Sequence, residues 1–170
     1  DNPYSFLHID KAEIDLPCCT DIYCNEVYCK AAENLRLSEE KGFYKMDNTP
    51  CFYIYRQIMN GRAQTGLVGC ADVDDYINNR IKKHELTRAD KEADRIRHVD
   101  TCDANTGPIF LCYKGSEKVS DIIAQWQSKA PVYDFITDDG IQNTVWVIDD
   151  KAVCAELSGL LAESGDFYIA

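Results

Sequence analysis

Two glycine-containing turns, each lying between residues typical of β-strands, place the strongest constraint on the fold. Asn60-Gly61 separates "CFYIYRQIM" from "RAQTGLVGC", and Asp139-Gly140 separates "PVYDFIT" from "IQNTVWVID". Asn-Gly and Asp-Gly accommodate the positive φ angles of tight hairpin turns, so each pair predicts two antiparallel strands joined by a short connection.

Helical patterns alternate with these strands. Asp72 is placed to cap a helix through "VDDYINNRI". Ser116 is placed to cap another helix, in which apolar residues at helical spacing are predicted to be buried. Further helices are predicted in "NEVYCKAAENLRLSEEKG", from Thr87 onward, and in "DKAVCAELSGLLAESG", whereas "NPYSFLHIDKAEIDLP" is interpreted as strand and loop and "TGPIFLCY" as a buried strand. The expected class is α+β (mixed α/β), with β-hairpins and a mixed sheet packed with four to five helices.

The length of 170 residues suits one domain, or one and a half. The chain starts without Met and ends in the strand-like run "DFYIA". We therefore expect residues 1–170 to form a single domain or a fragment of a longer chain, truncated at both ends.

Net charge and cysteine content limit the function classes. The formal charge of -11 argues against general binding of nucleic acid, and no apolar run is long enough to span a membrane. Nine cysteines, an odd number without an export signal, favour a reducing cytoplasm over a disulfide framework. Cys18, Cys19, Cys24 and Cys29 lack zinc-site spacing, so no metal site is expected. Cys51, Cys70, Cys112 and Cys154 lie in apolar runs and are predicted to be small core residues.

The most unusual feature is a basic island, residues 80–100, which holds seven of the 18 lysines and arginines. Such segregation favours anion binding, since Arg and Lys supply charge and oriented donors. Thr87 is predicted to cap a helix in a variant capping box with Asp90, and the free amides at this helix start would add to the attraction. The alternative is a solvated helix face with internal ion pairs, although like-charged neighbours four residues apart weaken it.

The island and two further segments supply the candidate site. His84 and Glu85 are the candidate catalytic bases, although a loop histidine and a surface glutamate are the more common interpretation of such neighbours, because acid-base catalysis needs a specific geometry. Arg56 would need a partner if it faces inward, and "TGP" could bring amides near a ligand or form a turn. The ligand-binding candidates are Arg56, Arg80, Lys82, Lys83, Thr87, Arg88, Lys91, Arg95, Thr106 and Gly107.

Several segments together resemble the bacterial and archaeal family called domain of unknown function 1015. They are "NPYSFLHIDKAEIDLP", "FYIYRQ", "GLVGCADVDDY", "RIKKHELTRADKEADR" and "TGPIFLCY". The resemblance implies a middle portion of a longer protein, followed by an Asp-Gly-His-His-Arg stretch after a strand like Tyr168-Ile169-Ala170. Such loops are similar to those of the ParB and sulfiredoxin-like group, which includes nucleotide-dependent enzymes and free-serine kinases.

Three functional hypotheses follow. The first is a portion of an enzyme that binds a phosphate-bearing ligand, with a nucleotide and magnesium as candidate cofactors, and transfers phosphoryl to a small metabolite. The second is a non-catalytic sensor of a small anionic metabolite. The third is an interaction module whose basic helix binds an acidic partner. The sequence leaves the oligomeric state open.

Overall fold

The computed structural model describes residues 2–18, 20–83 and 87–170. Helices and strands are mixed as expected, and the class is α+β. The helices are α1 (Leu7–Asp10), α2 (Asn25–Glu40), α3 (Val73–Ile77), α4 (Ala89–Cys102), α5 (Glu117–Gln127) and α6 (Lys151–Ala162), with a 3₁₀ turn at Ala12–Asp15. The strands are β1 (Phe52–Met59), β2 (Arg62–Val68), β3 (Ile81–Lys82), β4 (Leu111–Tyr113), β5 (Tyr133–Ile136), β6 (Gln142–Ile148) and β7 (Phe167–Ile169).

The chain divides into two compact units. A helical unit comprises residues 1–46 and 85–110, and a sheet unit comprises residues 47–84 and 111–170. The helical unit therefore contains α1, the 3₁₀ turn, α2 and α4, whereas every strand lies in the sheet unit. This division cuts the basic island between Lys83 and Thr87.

The sheet unit is built on a four-stranded antiparallel sheet in the order β2-β1-β6-β5. Both predicted hairpins are confirmed, because β1 pairs with β2 and β5 pairs with β6. Asn60 and Gly61 take φ angles of 52° and 77°, the left-handed conformation that the turn demands. A second sheet, in the order β3-β7-β4, pairs β3 with β7 in parallel and β4 with β7 in antiparallel orientation.

One face of the larger sheet forms the main core against α5 and α6. The buried cluster comprises Ile54, Val119, Trp126, Trp146, Ile148 and Leu157. Both indole nitrogens donate hydrogen bonds, Trp126 Nε1 to the carbonyl of Val147 and Trp146 Nε1 to that of Lys129. The core positions predicted for α5 from helical spacing are thus occupied by Val119 and Trp126, with Ile122 and Ile123 packed beside them.

The helical unit packs α1, the 3₁₀ turn and α4 against α2. Its small core contains Ala12, Val27 and Ala31, with Cys24 and Cys102 packed at the margin. Among the described residues, no helix combines the length and the apolar character needed to cross a membrane.

Two predictions about secondary structure were wrong. The first segment forms α1 and the 3₁₀ turn rather than a strand. Before α1, the side chains of Asn2 and Ser5 accept hydrogen bonds from the amides of Tyr4 and Leu7, which favours turns over extended backbone. In "TGPIFLCY" only β4 is extended, because it pairs with just three residues of β7. Ile109 and Phe110 are 71% and 56% exposed, so this segment is not a buried strand.

Helix and cysteine details also differ from expectation. The helix capped by Asp72 ends at Ile77, before Asn79 takes a φ of 59°, rather than continuing to Ile81. Among the cysteines predicted to be core residues, Cys70 and Cys112 are exposed, while Cys51 and Cys154 are half-buried. Ser116 occupies the N-cap of α5 without a side-chain hydrogen bond to the helix.

Candidate functional site

A groove crosses the helical unit between its N-terminal segment and α4. Helix α2 contacts both sides and supplies the floor with Val27, Tyr28 and Ala31, while residues 9–13 form one wall and α4 the other. The groove has a volume of about 270 Å³. Its rim carries Asp10, Lys11, Glu13, Tyr23, Lys91, Asp94 and Arg95.

The face of α4 that meets α2 is polar rather than apolar. Tyr28, which is 2% exposed, donates its hydroxyl to Asp94 Oδ1 at 2.8 Å. One turn further along, the buried His98 places Nε2 3.0 Å from the carbonyl oxygen of Ile9. Because a carbonyl only accepts, Nε2 carries the proton, and Nδ1 is left to accept from Thr106 or Cys102 at 3.4 and 3.8 Å.

Asp94 is held ionised by its partners. Burial alone would raise its pKa, but hydrogen bonds from Tyr28 and Arg95, together with the charges of Arg95 and Lys91, lower the pKa below the usual aspartate value. Burial and the hydrogen bond to Asp94 raise the pKa of Tyr28, which therefore stays protonated as the donor.

Arg95 bridges the two walls of the groove. It donates to Asp94 on its own helix at 3.1 and 3.3 Å, and to Asp10 of α1 at 3.3 Å. Its side chain is 55% exposed, so the pairs are partly screened by solvent. Both carboxylates are nevertheless committed to this cation.

Lys91 differs from Arg95 because its close partner is neutral. Its Nζ donates to the hydroxyl of Tyr23 at 2.8 Å and lies 5.4 Å from the centre of that ring. This hydrogen bond is the main reason that the pKa of Lys91 is raised. Among the described residues, no carboxylate oxygen comes within 4.0 Å of the charged nitrogens of Lys91, Lys11 or Arg97.

A second hollow of about 160 Å³ adjoins the groove. It shares Tyr23, Tyr28 and Asp94 with the groove and adds Asp90 and Arg97 from α4. The two hollows place the cations Lys91 and Arg97 of one helix around the same pair of tyrosines.

The predicted ligand-binding residues fall in both units. Arg56, Arg80, Lys82 and Lys83 belong to the sheet unit, whereas Thr87, Arg88, Lys91, Arg95, Thr106 and Gly107 belong to the helical unit. Of these, the groove brings together Lys91 and Arg95. The candidate bases His84 and Glu85 lie outside the described residues.

Arg80 is engaged by its own unit. Its guanidinium donates to the carbonyls of Leu161, Ala162 and Gly165 at 2.6, 2.9 and 3.1 Å, and to Asp75 at 3.0 Å. The side chain thus ties the end of α6 to the segment before β3, which is a structural use of the charge.

The other cations of the sheet unit have local contacts. Lys82 Nζ lies 3.3 Å from Asp166, and Lys83 Nζ lies 4.1 Å from the centre of the Tyr76 ring. Arg56 faces the helix-covered side of the sheet, with its guanidinium carbon 4.9 Å from the centre of the Trp146 ring. Its Nε is buried without a hydrogen-bond partner in the described part of the chain.

The start of α4 corrects one expectation. Thr87 does not cap the helix, because α4 begins at Ala89 with Arg88 in the N-cap position and no side-chain cap. Arg88 instead pairs with Asp90 at 2.7 Å, and its side chain is 77% exposed. The hydroxyl of Thr106 lies 3.4 Å from His98 Nδ1, and a Cβ added at Gly107 would meet no heavy atom within 4 Å.

Sequence reasoning missed most of the groove. Asp94, His98 and Cys102 recur at intervals of four in α4, and this polar stripe was the signal for the buried face. Tyr23 and Tyr28 carried no comparable signal, because their partners lie more than 60 residues away. No group of three His, Cys, Asp or Glu side chains suited to a metal ion occurs within the described ranges.

Together these features define an α+β protein in which a helical unit carries a polar groove and a sheet unit carries the main core. The family model described as "Protein of unknown function (DUF1015)" matches residues 1–170, and the chain belongs to that family. A search of curated proteins and a search of solved structures each found no match.

Proposed function

We propose that the protein binds a small phosphate-bearing molecule in the groove of the helical unit. The observation that carries the proposal is the position of Lys91 on the groove rim, where its close partner is the neutral hydroxyl of Tyr23. Asp90 and Asp94 act on Lys91 only from beyond 4.0 Å, and no carboxylate oxygen of the described residues lies closer, so its ammonium group can pair directly with an incoming anion. Lys11 on the opposite wall adds a second such cation.

Arg88 and the first amides of α4 add further positive charge near the groove. The exposed pair between Arg88 and Asp90 stabilises the fold little, so the guanidinium can turn toward a ligand at low cost. The first amides of α4 lack a side-chain cap and contribute the positive end of the helix dipole. With the overall charge of -11, the attraction is confined to this surface and does not extend to general nucleic-acid binding.

The volume of the groove narrows the ligand class. Sites for drug-sized ligands enclose roughly 300–1,000 Å³, and the groove, at about 270 Å³, is slightly smaller. We therefore favour a phosphate monoester of a small metabolite over a nucleoside triphosphate, whose base and sugar would have to extend beyond the groove.

Phosphoryl transfer is the catalytic form of the proposal. In this form His84 or Glu85 accepts a proton from the attacking hydroxyl, and a nucleotide with magnesium supplies the phosphoryl group. A sensor that binds the same ligand without turnover is the second candidate. The described groove residues favour the sensor, because their acid-base groups already have partners within the protein. Asp10 and Asp94 accept hydrogen bonds from Arg95, and His98 donates one to the Ile9 carbonyl.

We also propose that the protein works in the bacterial cytoplasm. The support is that eight cysteines in the described ranges are free thiols, an arrangement typical of reducing compartments.

Isothermal titration with ethyl phosphate, ADP and ATP, each with and without magnesium, tests the proposal. We expect ethyl phosphate to bind without magnesium, because Lys91 and Lys11 supply positive charge to the groove directly. Absence of heat from all three compounds would refute the proposal.

A phosphorus NMR assay of ATP consumption with candidate small alcohols then separates the two candidates. An enzyme would lose turnover in Glu85→Gln or in His84→Gln while still binding ethyl phosphate. A sensor would bind ligand without consuming ATP in the native protein and in both variants.

A further inference from the structure

One carboxylate of the groove has no cationic partner among the described residues. Glu13 lies in the 3₁₀ turn, is half-buried and lines the same groove as Lys11 and Lys91. No lysine, arginine or histidine nitrogen lies within 4.0 Å of its oxygens in the part of the chain that the structure describes.

The charges of the groove separate into satisfied and unsatisfied groups. Arg95 satisfies Asp10 and Asp94, so these three residues form an internal network. Within the described ranges, the groove groups without an ion-pair partner are the ammonium groups of Lys11 and Lys91 and the carboxylate of Glu13. A ligand that carried only negative charge would meet the two ammonium groups but would be repelled by Glu13.

We infer that the ligand of the groove carries an ammonium group as well as a phosphate, with the phosphate bound by Lys91 and Lys11 and the ammonium bound by Glu13. This inference rests on the proposed function and specifies its ligand class. Complementary pairing of both charges removes the repulsion and leaves Glu13 with a partner.

The positions of Lys11 and Glu13 in the chain guide the choice of probe. Lys11 and Glu13 flank Ala12, which is buried in the core of the helical unit. Residues two apart have Cα atoms at most about 7 Å from each other. Their side chains therefore start from neighbouring points of the groove, and a probe with two carbons between phosphate oxygen and amine is a compact ligand for the test.

Isothermal titration with O-phosphoethanolamine and ethyl phosphate tests this inference, since the two probes differ by one ammonium group. We expect the native protein to bind O-phosphoethanolamine about two- to fivefold more tightly, the gain of one partly exposed ion pair. In Glu13→Gln this preference should disappear, while Glu39→Gln, an exposed change on α2 away from the groove, should retain it.

The outcomes separate the inference from the proposed function. Equal affinity of the native protein for both probes would overturn the inference and leave phosphate binding intact. A preference that survives in Glu13→Gln would also overturn it, because the ammonium group would then be recognised elsewhere. Binding of neither probe would remove the proposed function and the inference together.

Discussion

The buried contact between Tyr28 and Asp94 makes a quantitative prediction about stability. Tyr28→Phe keeps the ring in place and removes the hydroxyl that lies 2.8 Å from Asp94 Oδ1. Hydrogen bonds to charged groups contribute roughly 1.5–3 kcal/mol. Asp94 retains Arg95 on its other oxygen and is not left without a partner, so we expect the free energy of unfolding to fall by about 1.5 kcal/mol, the lower end of this range.

The pH dependence gives a second test of the same contact. The folded-state pKa of Asp94 lies below its unfolded value, so the stabilisation is present above the unfolded pKa of about 4 and is lost as pH falls through the folded pKa. The difference between native protein and Tyr28→Phe should therefore be full at pH 7 and shrink below pH 4.

Urea unfolding followed by circular dichroism at 222 nm measures this difference. Tryptophan fluorescence is unsuitable, because Trp126 and Trp146 both lie in the sheet unit, whereas Tyr28 lies in the helical unit. Tyr133→Phe is the control, since that ring is exposed, and should change stability by less than about 0.5 kcal/mol. An equally small effect of Tyr28→Phe, or a loss that stays the same at every pH from 7 down to the acid limit of folding, would refute the reasoning.

Further predictions concern three substitutions in the sheet unit. Leu157→Ala removes a side chain that is 0% exposed in the main core, and urea unfolding should show a loss of about 3 kcal/mol; a loss below about 1 kcal/mol would contradict the assigned core. Gly159 lies within α6, and a Cβ added there would meet no heavy atom within 4 Å, so Gly159→Ala should raise the free energy of unfolding by about 0.5–1 kcal/mol. Gly61→Ala should lower stability, because Gly61 has a φ of +77°; the same sign for both glycine substitutions would contradict the backbone assignment.

Local signals in the sequence predicted the elements whose conformation is decided by neighbouring residues. Asn60-Gly61 and Asp139-Gly140 specify hairpins because the positive φ they permit is a property of the turn itself. Val119 and Trp126 were predictable core residues because apolar side chains at helical spacing must share one face.

The buried face of α4 could not be predicted from hydrophobic spacing. Helical spacing groups Ile96 with Ala89 and Ala93 in a narrow apolar stripe, yet Ile96 is 60% exposed, whereas His98 is buried. The helix is held by polar groups whose partners come from distant segments, Tyr28 for Asp94 and the carbonyl of Ile9 for His98. Hydrophobic spacing does not report such long-range hydrogen bonds; in this helix the four-residue spacing of Asp94, His98 and Cys102 was the available signal.

The basic island shows why charge density in a sequence window does not by itself locate a site. Arg80 and Lys91 lie 11 positions apart, yet they belong to different compact units. Arg80 donates hydrogen bonds to carbonyls at the end of α6, whereas Lys91 donates to the neutral hydroxyl of Tyr23. Only the three-dimensional contacts separate a structural cation from one available to a ligand.

The affinity of ethyl phosphate for native protein and for Lys91→Met tests the central claim most directly. Loss of one charge-assisted contact should weaken binding about 10- to 100-fold, while Lys118→Met, an exposed lysine in the first turn of α5, should bind like the native protein. Equal dissociation constants for native protein and Lys91→Met would contradict the assignment of the anion site to this groove.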